Sequence, residues 1–206
     1  ADVQARLGVD DGTNLVTLRT DDLAGRLDNL PAVRSATVSV DLPNTIAVRL
    51  DERRPILVWQ VAGARFLVDA TGVAFVQLAE GAATPSGLPT ISDARAGPGL
   101  GLGDSIDPVT FDAATRLGSL TPAEIGSAAN GLIISLTDDQ GFTMRAVPNL
   151  WTAVFGFYTT SLRPPTMIPG QVRLLASLIG GREPTIESLI LADDQNGTYV
   201  TKATKP

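Results

Sequence analysis

The sequence predicts an α+β chain: a small unit of two helices and a two-stranded ribbon, then a larger, mainly antiparallel β unit with two helices. Three observations carry this. Leucines recur at helical spacing near the N-terminus, and residues 36–50 alternate with period two about a turn. Beyond Pro55, short alternating runs separated by glycine-containing turns continue almost to the end of the chain.

The elements follow in order. Residues 1–8 end a helix that Gly8 stops, and Asp10-Asp11-Gly12 is a turn. Thr20 is placed to cap a second helix, with Asp21 and Asp22 in its first turn, where the helix dipole favours negative charge. Leu23, Leu27 and Leu30 form one apolar stripe, and Pro31 ends it. Ala36, Val38 and Val40 then alternate with Thr37, Ser39 and Asp41. After the turn Leu42-Pro43-Asn44, expected at an exposed tip, Ile46, Val48 and Leu50 alternate with Ala47, Arg49 and Asp51. That is a hairpin with one wet face and one face under the helices.

Pro55 cannot donate to a ladder and restricts Arg54 before it, so the boundary falls there: residues 1–54 and residues 55–206. The second part predicts strands at 56–61, 65–69 and 73–77, a Gly-, Ala- and Pro-rich stretch over 79–107 that is mostly loop, and a helix over 108–117. A hairpin at 131–137 and 141–148 and a strand at 151–157 follow. The helix over 169–179 turns Val172, Leu175, Ala176 and Ile179 inward, and strands at 185–191 and 197–201 close the chain.

Composition narrows the function. The 206 residues carry 16 basic and 22 acidic side chains, a net charge of -6, with no histidine and no cysteine. The commonest general base, the commonest zinc ligand, thiolate metal sites and disulfides are therefore absent, which argues against an enzyme and against a metal or other cofactor. No basic stripe suits nucleic acid. No run reaches the ~18 apolar residues of a membrane helix. Ala1-Asp2-Val3-Gln4-Ala5-Arg6-Leu7 has the character of mid-helix sequence, as in a piece trimmed from a longer protein, which leaves room for a membrane anchor outside it.

Each candidate for chemistry has a simpler reading. Gly97-Pro98-Gly99-Leu100-Gly101-Leu102-Gly103 lacks the glycine spacing and the lysine of phosphate-cradling loops. The acidic pairs Asp10-Asp11, Asp21-Asp22, Asp51-Glu52, Asp138-Asp139 and Asp193-Asp194 sit on turns and element ends, where capping and solvation explain them. Asp69, at a strand end, accepts backbone bonds in the turn closed by Gly72. Asn196-Gly197 is a tight turn rather than a glycosylation site. Trp59, Phe66, Phe75, Trp151, Phe155 and Phe157 are core residues.

Several stretches in order, "GTNLVTL", "LPAVRSATVSVDLPNTIAVRLDERRPILVW", "FLVDATGVAF" and "LPTI", resemble the FtsQ/DivIB bacterial cell-division family. "PGQVRLLASLI" and "IESLILADDQNGTYV" extend the likeness more loosely. The resemblance implies a POTRA domain over residues 1–54, beginning within its first helix and so without its first strand, and a β domain over 55–206. It also implies a single-pass membrane anchor outside this sequence, with this region on the extracytoplasmic side. The implied role is a non-enzymatic divisome scaffold that works through protein contacts, with partners of the FtsB and FtsL coiled-coil type and septal wall synthases. The alternative is a POTRA module of protein transport or outer-membrane assembly that binds extended substrates by β-augmentation. A terminal strand offers an edge for an added strand. The predicted partner-binding residues are Leu189 and Leu191 on one strand and Thr198, Tyr199 and Val200 on the other, with Tyr199 the strongest anchor; the alternative is that all five pack the domain's own core, a reading of equal weight for the two leucines.

Overall fold

The structure is a computed structural model and describes residues 3–10, 12–97, 99–148 and 151–203. The chain forms two compact units, residues 1–54 and 55–206.

In the first unit, helices α1 (Val3–Leu7) and α2 (Thr20–Asp28) cover one face of an antiparallel hairpin, β1 (Val33–Asp41) and β2 (Thr45–Glu52). Val38 lies opposite Val48, Ala36 opposite Leu50 and Val40 opposite Ile46, so the period-two pattern brings these apolar side chains to one face. Leu7, Leu23, Leu27 and Val38 are buried there. Leu42, in the turn, is 64% exposed. Thr20 is the first helical residue rather than the cap. The cap position is Arg19, whose side chain makes no capping bond, while an exposed Arg19–Asp22 pair at 3.3 Å braces the helix start. At the other end of α2, Asp28 Oδ1 accepts from the Ala36 N–H at 2.7 Å and ties helix to strand.

The second unit is built on one nine-stranded sheet. Its strands are β3 (Pro55–Val61), β4 (Ala64–Asp69), β5 (Ala74–Leu78), β6 (Thr90–Asp93), β7 (Gly131–Thr137), β8 (Gly141–Val147), β9 (Thr152–Gly156), β10 (Ile186–Leu191) and β11 (Gly197–Thr201). Their order is β11-β10-β9-β8-β7-β6-β3-β4-β5, antiparallel except where β6 meets β3 and β7 and where β9 meets β10. The β3–β4 connection is the two residues Ala62-Gly63, both at positive φ, as a tight hairpin that follows strand twist requires. Helix α3 (Pro108–Gly118) packs by β6 and β7, and α4 (Ile168–Ile179) by β9 and β10. Trp59, Ile91, Leu117, Met144, Trp151 and Phe155 fill the shared core.

The stretch 79–107 is mostly loop, and strand β6 is the element within it that the sequence did not single out. Its four residues, Thr-Ile-Ser-Asp, are too short to show a period and follow a proline. It is a strand because it has sheet neighbours on both sides, with Ile91 fully buried between them. Phe157 is also not core: β9 ends at Gly156, the chain leaves the sheet, and the ring is 48% exposed. In α4 the buried positions are Ile168, Gly170, Gln171, Leu175 and Ile179, while Val172 and Ala176 are half-buried.

Leu27 is fully buried between α2 and the hairpin. Leu27→Ala should destabilise the first unit by ~2–5 kcal/mol. Faster amide hydrogen exchange through β1 and β2 is the expected readout, and unchanged exchange would contradict the packing described.

Candidate partner-binding edge

The two edges of the large sheet differ. At the β5 edge the segment 103–105 returns over the start of the strand. Ala74 N–H donates to Asp104 O at 2.9 Å, Gly103 N–H donates to Ala74 O at 2.7 Å, and Val73 bridges Ser105. At the β11 edge, among the described residues, nothing takes that place.

Which backbone groups of β11 are free follows from its pairing with β10. Leu189 lies opposite Tyr199 and Ile190 opposite Thr198. Asn196 O accepts from Ala192 N–H at 2.9 Å, and Lys202 N–H donates to Thr185 O at 2.8 Å. Residues 196 and 202 therefore turn their peptide groups toward β10, and by strand alternation so do Thr198 and Val200. Gly197, Tyr199 and Thr201 turn theirs outward. The side chains follow the same parity: Tyr199 shares the helix-covered face with Leu189, and Thr198 shares the opposite face with Ile190.

The predicted contact residues separate accordingly. Leu189 and Leu191 are 0% and 1% exposed, members of the domain core with no surface for a partner. Tyr199 is 41% exposed and Val200 57%, and Thr198 is exposed beside them. Tyr199 is already half-oriented: Arg182 stacks 5.9 Å from its ring centroid, and Arg182 Nη1 donates to its hydroxyl at 3.2 Å. Ile190, 54% exposed on the opposite face, is an exposed apolar neighbour that the strand pattern alone did not single out.

The hairpin is held by polar groups that periodicity cannot reveal. Arg163 donates through Nη2 to Phe155 O and to Leu191 O, the latter at 2.6 Å. Buried Gln171 donates from Nε2 to Leu191 O at 3.0 Å and accepts the Tyr158 hydroxyl proton at 2.7 Å. The carbonyls at the ends of β9 and β10 are satisfied in this way. The β10–β11 loop is not the expected Asn-Gly turn. It spans residues 192–196 and is closed by Asp193, whose Oδ1 accepts from Gln195 and Asn196 N–H groups at 2.7 and 2.6 Å, and Gly197 belongs to the strand. Asp194 packs so closely on Gly170 of α4 that a side chain there would collide with it.

Ahead of β10, Glu183 accepts from Trp151 Nε1 at 2.7 Å, from Ala128 N–H at 2.8 Å and from Ser127 Oγ. Burial pushes its carboxyl up, but these hydrogen bonds, led by Ala128 and aided by the Lys202 charge, prevail and hold it below its ordinary pKa.

Several other acidic groups serve their own turns, whereas Asp138 Oδ2 accepts from the Ala96 N–H of a distant segment at 2.6 Å. Asp69 Oδ1 accepts from Thr71 N–H, Val73 N–H and the Thr71 hydroxyl at 2.7–3.0 Å. A concavity of about 410 Å3 is lined by Trp59, Asp93, Arg95, Asp104 and Asp107. Its charges are engaged: Asp93 forks with Arg95 at 2.7–2.9 Å, Asp104 accepts from Gly101 N–H, and Asp107 accepts from Thr110 N–H. The Gly101 amide of the glycine-rich loop thus already has its own acidic partner. Among the described residues no group of three or more acidic side chains could hold a metal, and no helix is long and apolar enough to cross a membrane. Asp11 of the first acidic pair lies outside the described residues.

Residues 1–53, the two helices and hairpin, match the model of the POTRA domain, FtsQ-type. The chain is 32% identical over 149 residues to the cell division protein FtsQ of Mycobacteroides abscessus, covering 69% of this chain and 44% of that protein. It is 31% identical over 145 residues to that of Streptomyces venezuelae, covering 69% and 51%. The chain belongs to the FtsQ/DivIB family. A 38% match over 71 residues to the Jannaschia protein of the same name covers 34% of the chain. The chain spans about half the length, or less, of these curated relatives.

Glu183 generates a test of how the hairpin is seated. A carboxyl whose folded pKa lies below its unfolded value adds stability above the unfolded pKa, and that stability is lost as pH falls through the folded one. The window therefore lies below the ordinary value of 4.5. Thermal melts from roughly pH 3 to 7 should show Glu183→Gln less stable than the parent at neutral pH and closer to it at the acid end. A constant difference across the range would contradict the assignment.

Proposed function

We propose that this region belongs to a non-enzymatic scaffold of bacterial cell division that recruits partners by accepting a strand on the β11 edge. The observation that carries the reading is the free row of peptide groups at Gly197, Tyr199 and Thr201, beside a Tyr199 ring held by Arg182. Backbone pairing supplies affinity in such additions, and side chains on alternate faces supply specificity. Thr198, Tyr199 and Val200 are the contact residues; Leu189 and Leu191 support them from the core.

The family relation supports division as the process and, as partners, FtsB- and FtsL-type coiled-coil membrane proteins and septal wall synthases. The region sits on the extracytoplasmic side of the cell membrane, tethered by a helix outside this sequence. The FtsQ-type match over residues 1–53 and relatives named for cell division favour this reading over a protein-transport POTRA module.

Tyr199→Ala should weaken capture of the extracytoplasmic segment of the FtsB-type partner by ~1–3 kcal/mol while leaving the fold intact. Calorimetric titration measures it. Unchanged affinity in a protein confirmed to be folded would rule out this edge as the contact.

A further inference from the structure

We infer that one end of the large sheet, formed by residues 138–140, 157–163 and 192–196, receives an amphipathic helix of a partner protein that carries lysine or arginine on either side of an apolar stripe. The inference rests on these turns and not on the open backbone of β11.

The segment that leaves β9 is pinned from inside. Gly156 turns the chain out of the sheet at a φ of 84°, where a Cβ would meet the Arg163 guanidinium at 3.2 Å. Arg163 bonds the Phe155 and Leu191 carbonyls and lies 5.8 Å from the Tyr158 ring centroid, and the Tyr158 hydroxyl donates to buried Gln171. Thr159 closes the turn. Its N–H donates to Arg163 O at 2.9 Å, and its Oγ1 accepts from the Leu162 and Arg163 N–H groups at 3.2 and 3.1 Å. What this ordered loop presents is apolar: Leu162 is 90% exposed and Phe157 48%. Two large apolar side chains held out on one short loop bury nothing of their own, and an anchor ordered in advance loses little freedom on docking.

Strand order sets an acidic turn on each side of this tip. Thr137 lies opposite Gly141 and Gly141 opposite Gly156, so the β7–β8 turn, with Asp138 and Asp139, flanks it on one side. Strand β10 runs parallel to β9 with Ile190 opposite Val154, so the loop after β10, with Asp193 and Asp194, flanks it on the other. Asp138, Asp139 and Asp194 are exposed and Asp193 is half-buried. Hydrogen bonds, led by the Thr137 side chain at Asp139 and the Asn196 side chain at Asp193, hold both carboxyls below their ordinary values. The arginine of the loop itself, Arg163, is turned inward onto main-chain carbonyls.

Charge complementarity selects the occupant. An apolar tip between two pairs of negative charges repels an anionic lipid surface and attracts a segment with cations beside its apolar residues. The 138–140 turn lies between β7 and β8 and the 192–196 loop between β10 and β11, about three strand spacings or ~14 Å apart. A helix rises ~1.5 Å per residue, so lysines or arginines about nine residues apart reach both acidic pairs. Leucine-type side chains midway between them then cover Leu162 and Phe157.

The probe is a synthetic helix of about 18 residues, leucine and alanine with two lysines about nine residues apart; the control carries glutamate in place of lysine. Fluorescence anisotropy should show that the lysine helix binds and the glutamate helix does not, with binding weakened by salt. Leu162→Ser, and separately Asp138→Asn combined with Asp139→Asn, should each weaken it at least ~10-fold. These side chains are exposed, so the melting temperature should hold, and amide shifts on binding should map to the three turns. Equal binding of both helices, binding indifferent to Leu162→Ser, or no binding would overturn the inference. Cosedimentation with phosphatidylcholine vesicles that Leu162→Ser abolishes would also overturn it, by assigning the tip to lipid. Tyr199→Ala should leave binding of the lysine helix unchanged, so this inference and the strand-capture reading fail separately.

Discussion

A strand at the edge of a sheet must leave half of its peptide groups to water or to another chain, and the architecture of the second unit is arranged around where that occurs. At β5 the segment 103–105 returns to satisfy the strand's first residue, Ala74. At β11 the same kinds of group are presented, and the surroundings are built to hold that strand still. Arg163 and Gln171 fix the carbonyl at the end of β10, Asp193 closes the loop, Glu183 seats the approach through Trp151, and Arg182 steadies Tyr199. A template strand works better when it is ordered in advance, because less conformational entropy is lost on pairing.

Much of this was legible in the sequence where a residue's environment is set by its neighbours in the chain. The leucine stripe of α2, the alternation of β1 and β2 about Leu42-Pro43-Asn44 and the alternating runs of most later strands are local signals, and the structure follows them. Failures occur where long-range contacts decide. Strand β6 has no period of its own and owes its conformation to β3 and β7, which lie far from it in sequence. Thr20 reads as a helix cap by residue type, yet the backbone enters the helix one residue earlier.

The candidate site divides in the same way. An exposed final strand with Tyr199 could be read from its position and composition. Burial of Leu189 and Leu191 could not, because a half-apolar strand looks the same whether its apolar side meets a core or a partner; α4 lying against β10 decides it. The roles of Arg163, Gln171 and Glu183 were equally hidden. Each is polar in sequence and becomes structural only because folding brings it to a main-chain group that would otherwise be buried without a partner. Asp69 is engaged in its own turn and Asp93 with the neighbouring Arg95.

The parity of β11 is the claim on which the rest turns, and amide hydrogen exchange read residue by residue tests it most directly. In dilute protein, Thr198 and Val200 amides should be protected by β10, while Gly197, Tyr199 and Thr201 amides exchange rapidly. Adding the extracytoplasmic segment of an FtsB-type partner should slow the second set and leave the first unchanged. Protection of Gly197, Tyr199 and Thr201 in the free, dilute protein, or a partner that binds without slowing them, would contradict the open edge.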